Sequence, residues 1–308
     1  MTTAGDVLEL VRAPAALTVL GDTIAGGHAG GARFTARQWL LPLASVFLYS
    51  GGMALNDYAD RDLDAIERPE RPIPSGRVSS RRALGIATTL MAVGVGLAAV
   101  GGGRRSLRVA APLVGAIVLY NTVAKDTTAG PVSMAACRGL DVLMGGGGGR
   151  AALPAAATVA LHTAGVTATS RGEVHGGTVG TARAGLTITG ATAVAALIGG
   201  PAAGATTNDA ASRPSRPETR TTRVLAGIGA AAAAVAYLAT ALPSQLKSLE
   251  NPSASNARTA TRAGIGAMVP LQATLTARSG ALAPAVLLGG VDVARRALSA
   301  RRARGDVT

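Results

Sequence analysis

Gln38–Asp64 reads QWLLPLASVFLYSGGMALNDYADRDLD, and two properties meet in it. Gln38–Asn56 carries no charged side chain. It is about as long as the ~20 mainly apolar residues that cross a bilayer as a helix. Four aspartates, Asp57, Asp60, Asp62 and Asp64, then follow within eight residues. A greasy span that ends in concentrated negative charge is the reading from which the rest is built.

Moving outward, further charge-free runs occupy Ala83–Gly103, Val109–Ala124, Ala151–Ser170, Ala184–Thr207 and Val224–Leu246. Weaker spans are Ala13–Ala32, interrupted by Asp22; Pro131–Gly149, interrupted by Arg138 and Asp141; and Ala263–Gly290, interrupted by Arg278. The expectation is an all-α polytopic membrane protein with about nine transmembrane helices. Residues 1–12 form a short N-terminal segment, 13–290 a single transmembrane domain and 291–308 a basic tail, on the membrane surface or disordered. The N-terminal segment lacks the basic start and cleavage site of a signal peptide, so the first span is expected to be retained. Gly145–Gly149 should end a helix or form a loop, because glycine costs ~1 kcal/mol per residue in a helix interior. Thr206–Arg223 reads as a polar connection.

Composition agrees with the bilayer. Among 308 residues, 48 % are hydrophobic and 15 % charged, against roughly 25 % charged in soluble domains. The net charge of +13 sits in short clusters between apolar runs, which suits an anionic membrane surface and not a nucleic-acid groove. The single cysteine, Cys137, excludes a disulfide framework and reads as a small buried hydrophobe. Aromatic residues make up only 2 %, too few for an interfacial belt. Basic residues are balanced between alternate loops; the densest loop, Arg61 to Arg82, is taken as cytoplasmic.

On a helix at about 100° per residue, Asp57, Asp60 and Asp64 fall within roughly 60° of one another, Asn56 flanks them and Asp62 points away. Hard oxygen ligands at this spacing suit Mg²⁺, which takes one or two carboxylates, waters and substrate phosphates. A solvated helix end with its acids paired to Arg61, Arg68 and Arg71 would explain the charges but not their crowding on one face. Each aspartate at the bilayer centre costs ~2.5–3.5 kcal/mol on insertion scales, so the cluster requires a wet cavity or a cation.

Asn56–Asp64, N-D-x-x-D-x-x-x-D, followed by RPERPIPSG at Arg68–Gly76, resembles the first aspartate-rich motif of the UbiA family of intramembrane prenyltransferases. The resemblance implies nine helices around a central cavity and two acidic motifs that bind an isoprenyl diphosphate through Mg²⁺. It makes Asp57, Asp60 and Asp64 the catalytic metal ligands, and Asn56, Arg68 and Arg71 diphosphate contacts. In LYNTVAKDT at Leu119–Thr127, Tyr120 and Lys125 look like a family Tyr/Lys pair with the lysine on the diphosphate. An interfacial tyrosine with a snorkelling lysine is the alternative.

The family's second motif belongs in Thr167–Gly180, TATSRGEVHGGTVG, where the only acid is Glu173. Glu173 is the candidate ligand there, Arg171 a phosphate contact and His175 a possible acceptor base, against the plainer reading of solvated loop residues. SRGEVHGG at Ser170–Gly177 and ACRGLDVLMG at Ala136–Gly145 resemble the EboC-like branch of the family. The function implied is Mg²⁺-dependent transfer of an isoprenyl group to an aromatic, quinone or lipid acceptor, with the acceptor itself unknown, in a bacterial cell membrane and without nucleic acid. A binding or transport protein that keeps the fold without turnover is the second reading. A soluble terpene synthase is disfavoured by the row of long charge-free spans.

Overall fold

The computed structural model describes residues 2–30, 34–198 and 220–305, and these are all-helical apart from connecting turns. A capping box between Thr3 and Asp6 starts α1 (Ala4–Leu10), tying both side chains to otherwise orphaned amides. The first expected span is broken: α2 (Ala13–Ala16) is separated by a turn from α3 (Leu20–Ala29). Next come α4 (Leu40–Ala59), α5 (Arg61–Glu67) and α6 (Ser80–Leu119). The side chain of Ser79 caps α6 by accepting from the Arg82 amide. Gly103, at φ 66°, ψ −156°, breaks α6 into the two spans read from the sequence, a backbone conformation open only to a residue without Cβ. A π-helical turn, Tyr120–Ala124, ends its second half.

α7 (Gly130–Gly145), α8 (Leu153–Ser170), α9 (Val179–Ile198), α10 (Arg220–Glu250), α11 (Ala254–Arg278) and α12 (Leu282–Gly305) complete the chain. Helix α7 stops at the glycine run, as composition required. The polar connection expected at Thr206–Arg223 lies outside the described residues up to position 219; from Arg220 onward it is helix.

Two expectations fail at the C-terminal end. The run Ala263–Gly290 is not one span: α11 ends at Arg278, and Gly280, at φ 80°, turns the chain into α12. Hydropathy averaged across this turn concealed it. The expected boundary at 290/291 falls inside α12, so residues 291–305 continue a helix and do not form a disordered tail.

Among the described residues, four helices are long and apolar enough to cross a membrane: Ser80–Ala124, Arg150–Ser170, Val179–Ile198 and Arg220–Glu250. Only 28 % of the most apolar window of the first is buried within the protein. Val93, Val100, Val118, Val194, Ile228 and Val235 face outward, where lipid is their natural solvent. The chain is a multi-pass integral membrane protein.

Packing brings α4 against α6, α7 against α8, and α10 against α11. The contact of α3 with α7 is the tightest. A Cβ on Gly26 would stand 1.8 Å from the Val142 carbonyl oxygen, and one on Gly145 would stand 2.1 Å from that of Thr23. Small residues allow such approach where apolar burial drives no association. One buried cluster, including Leu41, Leu48, Leu55, Met91 and Leu113, joins α4 to α6; another, including Val159, Tyr237, Leu271 and Leu275, joins α8, α10 and α11.

Candidate active site

The acidic segment is not one continuous helix. At Asp60 (φ −87°, ψ 0°) α4 gives way to α5. Helix-like bonds nevertheless run through the junction, from Asp60 N to Asn56 O at 2.9 Å and from Asp64 N to Asp60 O at 2.8 Å. The spacing that placed Asp57 and Asp64 on one side therefore survives the break. Both are buried, at 4 % and 2 % exposure. Arg71 Nη1 lies 2.5 Å from Asp64 Oδ2 and 3.5 Å from Asp57 Oδ1, bridging the two. Arg68 stands 3.8 Å from Asp64. Asp62, with its side chain 87 % exposed, pairs with Arg61.

Asp60 faces another neighbour. It accepts a hydrogen bond from Asn56 Nδ2 at 3.1 Å and pairs with Lys125 Nζ. The π turn sets that pairing. In an α-helix, residues five apart lie about 140° away from each other; here Lys125 N donates to Tyr120 O at 3.0 Å, an i→i+5 bond that stacks the two. π turns of this kind recur at functional sites.

The loop Arg68–Ser79 contains Pro69, Pro72 and Pro74, each with φ fixed. Bonds from Ser75 N to Arg71 O at 3.0 Å and from Val78 N to Pro72 O at 2.8 Å fold it on itself. Ile73 and Val78 anchor it in the core. Helix α1 straps it from outside: Arg77 Nη1 donates to Asp6 at 2.8 Å and to Glu9 at 2.7 Å, and Thr2 Oγ1 donates to Arg77 O at 2.9 Å. The hydrogen bonds from Thr3 and Arg77 lower the Asp6 pKa to about 2; Arg77 likewise lowers that of Glu9.

Arg12 is the residue that sequence reasoning missed. It stands in the left-handed region (φ 49°, ψ 49°), and is the one non-glycine residue with positive φ among the described residues. Its Nη2 donates to Asp57 Oδ1 at 3.0 Å. Reading it as the end of a surface segment overlooked that a lone arginine entering the first apolar run could turn inward.

The second loop has another character. Arg171 donates to the Thr127 carbonyl, two residues past Lys125, which places it beside the first cluster. Glu173 gives its backbone carbonyl to Arg258 at 2.9 Å. Among the described residues, Glu173 and the exposed His175 form no hydrogen bond with the aspartates.

Between α4, α6 and α7 lies a cavity of about 520 Å³, its open mouth included. Leu48, Gly52, Met53, Leu113, Ile117 and Met134 make it apolar, and Tyr120 and Asn121 mark the end adjoining Lys125. Among the described residues, no three His, Cys, Asp or Glu side chains converge on one metal position. Basic side chains stand between the aspartates. The donor chemistry still fits a hard cation: Asn56, Asp57, Asp60 and Asp64 offer only oxygen where a metal would need it.

A lipid-embedded helical bundle with an apolar cavity, and with a cluster of carboxylates and cations one helical turn along α4 beyond its Met53 lining, defines a membrane protein built for an amphiphile with an anionic head. The UbiA prenyltransferase family model matches residues 18–242, and the chain belongs to that family. Curated relatives include digeranylgeranylglyceryl phosphate synthases. That of Methanopyrus kandleri is 48 % identical over 98 residues, 30 % of this chain and 34 % of the relative. That of Ignicoccus hospitalis is 40 % identical over 119 residues, 38 % of this chain and 35 % of the relative. The chain thus spans about a third of the length of these relatives. A UbiA homologue from Archaeoglobus fulgidus, solved bound to GPP and Mg²⁺, shares the fold at TM-score 0.56, with 15 % identity, over 85 % of this chain and 99 % of that one. A structure of digeranylgeranylglyceryl phosphate synthase gives 0.58, with 16 % identity, over 90 % and 98 %.

Proposed function

We propose that this protein transfers an isoprenyl group from its diphosphate to a lipid alcohol, with Mg²⁺ at Asp57, Asp60 and Asp64. The observation that carries the reading is the pairing of Asp57 and Asp64 with Arg71, and of Asp60 with Lys125, on the turn of α4 and α5 that follows the cavity-lining Met53. A diphosphate–metal pair can enter such a site by exchange. Asp57, Asp60 and Asp64 would hold the metal, and Arg12, Arg68, Arg71 and Lys125, released from them, would turn to phosphate oxygens, as guanidinium and ammonium groups do. Bound Mg²⁺ would supply charge neutralisation for the leaving diphosphate.

The remaining chemistry falls to the chain. Arg71 and Lys125 stabilise the negative charge that grows as the allylic C–O bond breaks. Asn56 orients Asp60, and Tyr120 closes the cavity end. The apolar walls keep water from the electron-deficient carbon until the acceptor hydroxyl attacks. Arg171 extends the phosphate site across the Thr127 turn. Glu173 and His175 would serve on the acceptor side, His175 taking the hydroxyl proton, once the second loop folds over an occupied site.

The A. fulgidus homologue, solved with GPP and Mg²⁺, supports the donor and the metal. The digeranylgeranylglyceryl phosphate synthases support a glycerolipid acceptor over an aromatic or quinone. They also favour that group over the EboC-like branch, for which SRGEVHGG and ACRGLDVLMG remain the argument. We read the chain as one transmembrane unit of nine spans around the cavity, in a bacterial cell membrane. Incubating the reconstituted protein with isoprenyl diphosphates, Mg²⁺ and glycerolipid acceptors tests this. Diphosphate release that needs both Asp60 and an acceptor supports transfer. Binding without release under every acceptor supports the non-catalytic reading, to which the uncoupled Glu173 and His175 lend weight.

A further inference from the structure

Opposite Tyr120 the cavity changes character. Ser45 on α4 and Arg138 and Asp141 on α7 line its far end. Ser45 Oγ donates to Asp141 Oδ1 at 2.6 Å. Arg138 Nη2 donates to Asp22 Oδ1 at 3.2 Å and to Thr18 O at 3.0 Å. Gln272 Nε2, from α11, donates to the same two oxygens at 2.7 and 2.8 Å. Asp22 is wholly buried. The network ties α3, α4, α7 and α11 together at one depth, and an ionic assembly bound on four helices does not yield to hydrocarbon. Displacing one partner would leave another charge buried and uncompensated. Arg138 Nε and Gln272 Oε1 lack protein partners among the described residues, so this end prefers water to a methyl group.

Along α4 the cavity lining runs from Met53 to Ser45, and from Asn56, where the diphosphate is placed, to Ser45 the helix rises ~16 Å. An extended polyisoprene advances ~5 Å per unit from ordinary C–C geometry. The straight path thus holds about three units.

We propose that Ser45, Asp141 and Arg138, with Arg138 braced from behind by Asp22, form a fixed ionic floor that sets the isoprenyl chain length, a farnesyl-sized tail being the longest fully seated. This rests on the diphosphate reading above. A fourth unit folds back or leaves through the mouth and gains nothing from the walls. Cys137, one turn before Asp141 on α7, also lines the tube.

The test is Mg²⁺-dependent binding of geranyl, farnesyl and geranylgeranyl diphosphates to the protein in nanodiscs, wild type beside Cys137→Phe and Asp141→Ala, each checked for helix content. In the wild type, farnesyl should bind at least ~10-fold tighter than geranyl, since even two buried methylenes are worth that much. Geranylgeranyl should bind no tighter than farnesyl. Cys137→Phe should erase the farnesyl advantage; Asp141→Ala, with its floor opened, should let geranylgeranyl overtake farnesyl. A steady gain through geranylgeranyl in the wild type overturns the floor, as does a length profile that neither variant alters. If one variant does not fold, the wild-type series and the other variant still decide. Absence of binding at every length would instead overturn the diphosphate reading itself.

Discussion

The two loops that ought to carry the chemistry differ in how much of the protein holds them. In the first, each acid of that face is held by a cation: Asp57 by Arg12, 45 residues away, Asp60 by Lys125, 65 residues away, and Asp64 by Arg71 within the loop itself. In the second, Arg171 and the backbones of Glu173 and Gly177 are engaged from outside, but His175 stands in solvent. The first is pre-organised for an anionic head group whether or not one is present. The second has a held backbone, but His175 is left to be positioned by whatever the loop binds.

The largest expected effect breaks or confirms that contrast within one loop. Asp60→Ala should weaken Mg²⁺-dependent diphosphate binding ~100-fold or more, because the lost metal ligand outweighs the release of Lys125 toward phosphate. Asp62→Ala should change it less than about twofold, because its exposed ion pair is worth little. Titration of both variants with geranyl diphosphate checks the pair, and equal losses would refute the one-sided arrangement. Arg12→Ala comes next, with ~10-fold weaker binding and partial recovery in Arg12→Lys, for one charge-assisted bond.

Smaller effects belong to the second loop. His175→Ala and Glu173→Gln should leave diphosphate affinity within ~threefold while lowering turnover by ~100-fold or more, the range for a general base. A loss of affinity equal to that of Arg12→Ala would mean the loop is already part of the phosphate site. Smallest is the pH response of the α1 strap. Asp6 titrates at about 2 when folded and near 3.8 when released; its contribution is therefore complete above ~pH 4 and lost as pH falls toward 2. Hydrogen exchange at Asp6–Leu10 should accelerate over that window, and Arg77→Ala should blunt the change.

Much of the first loop was legible because carboxylate spacing and helix period are both local. Asn56 through Asp64 could be placed on a face without knowing any partner. The partners were not legible. Arg12 reaches Asp57 only because its backbone turns left-handed, and the π turn that stacks Tyr120 on Lys125 has no periodicity to read. The charges that weakened three spans were taken as defects one at a time. Asp22 pairs with Arg138 at 3.1 Å, and Asp141 lies on the same helix face one turn on. Hydropathy averages over a window, whereas these side chains find each other across more than a hundred residues. The turn at Gly280 escaped for the same reason, being short beside the apolar runs that flank it.

Isothermal titration of the purified protein with geranyl diphosphate, with Mg²⁺ and then with Mg²⁺ withheld, reaches the central claim most directly. The arrangement of Asp57, Asp60 and Asp64 against Arg71 and Lys125 predicts saturable binding that requires the cation and disappears in Asp60→Ala. Binding of equal strength without Mg²⁺, or retained in Asp60→Ala, would contradict it.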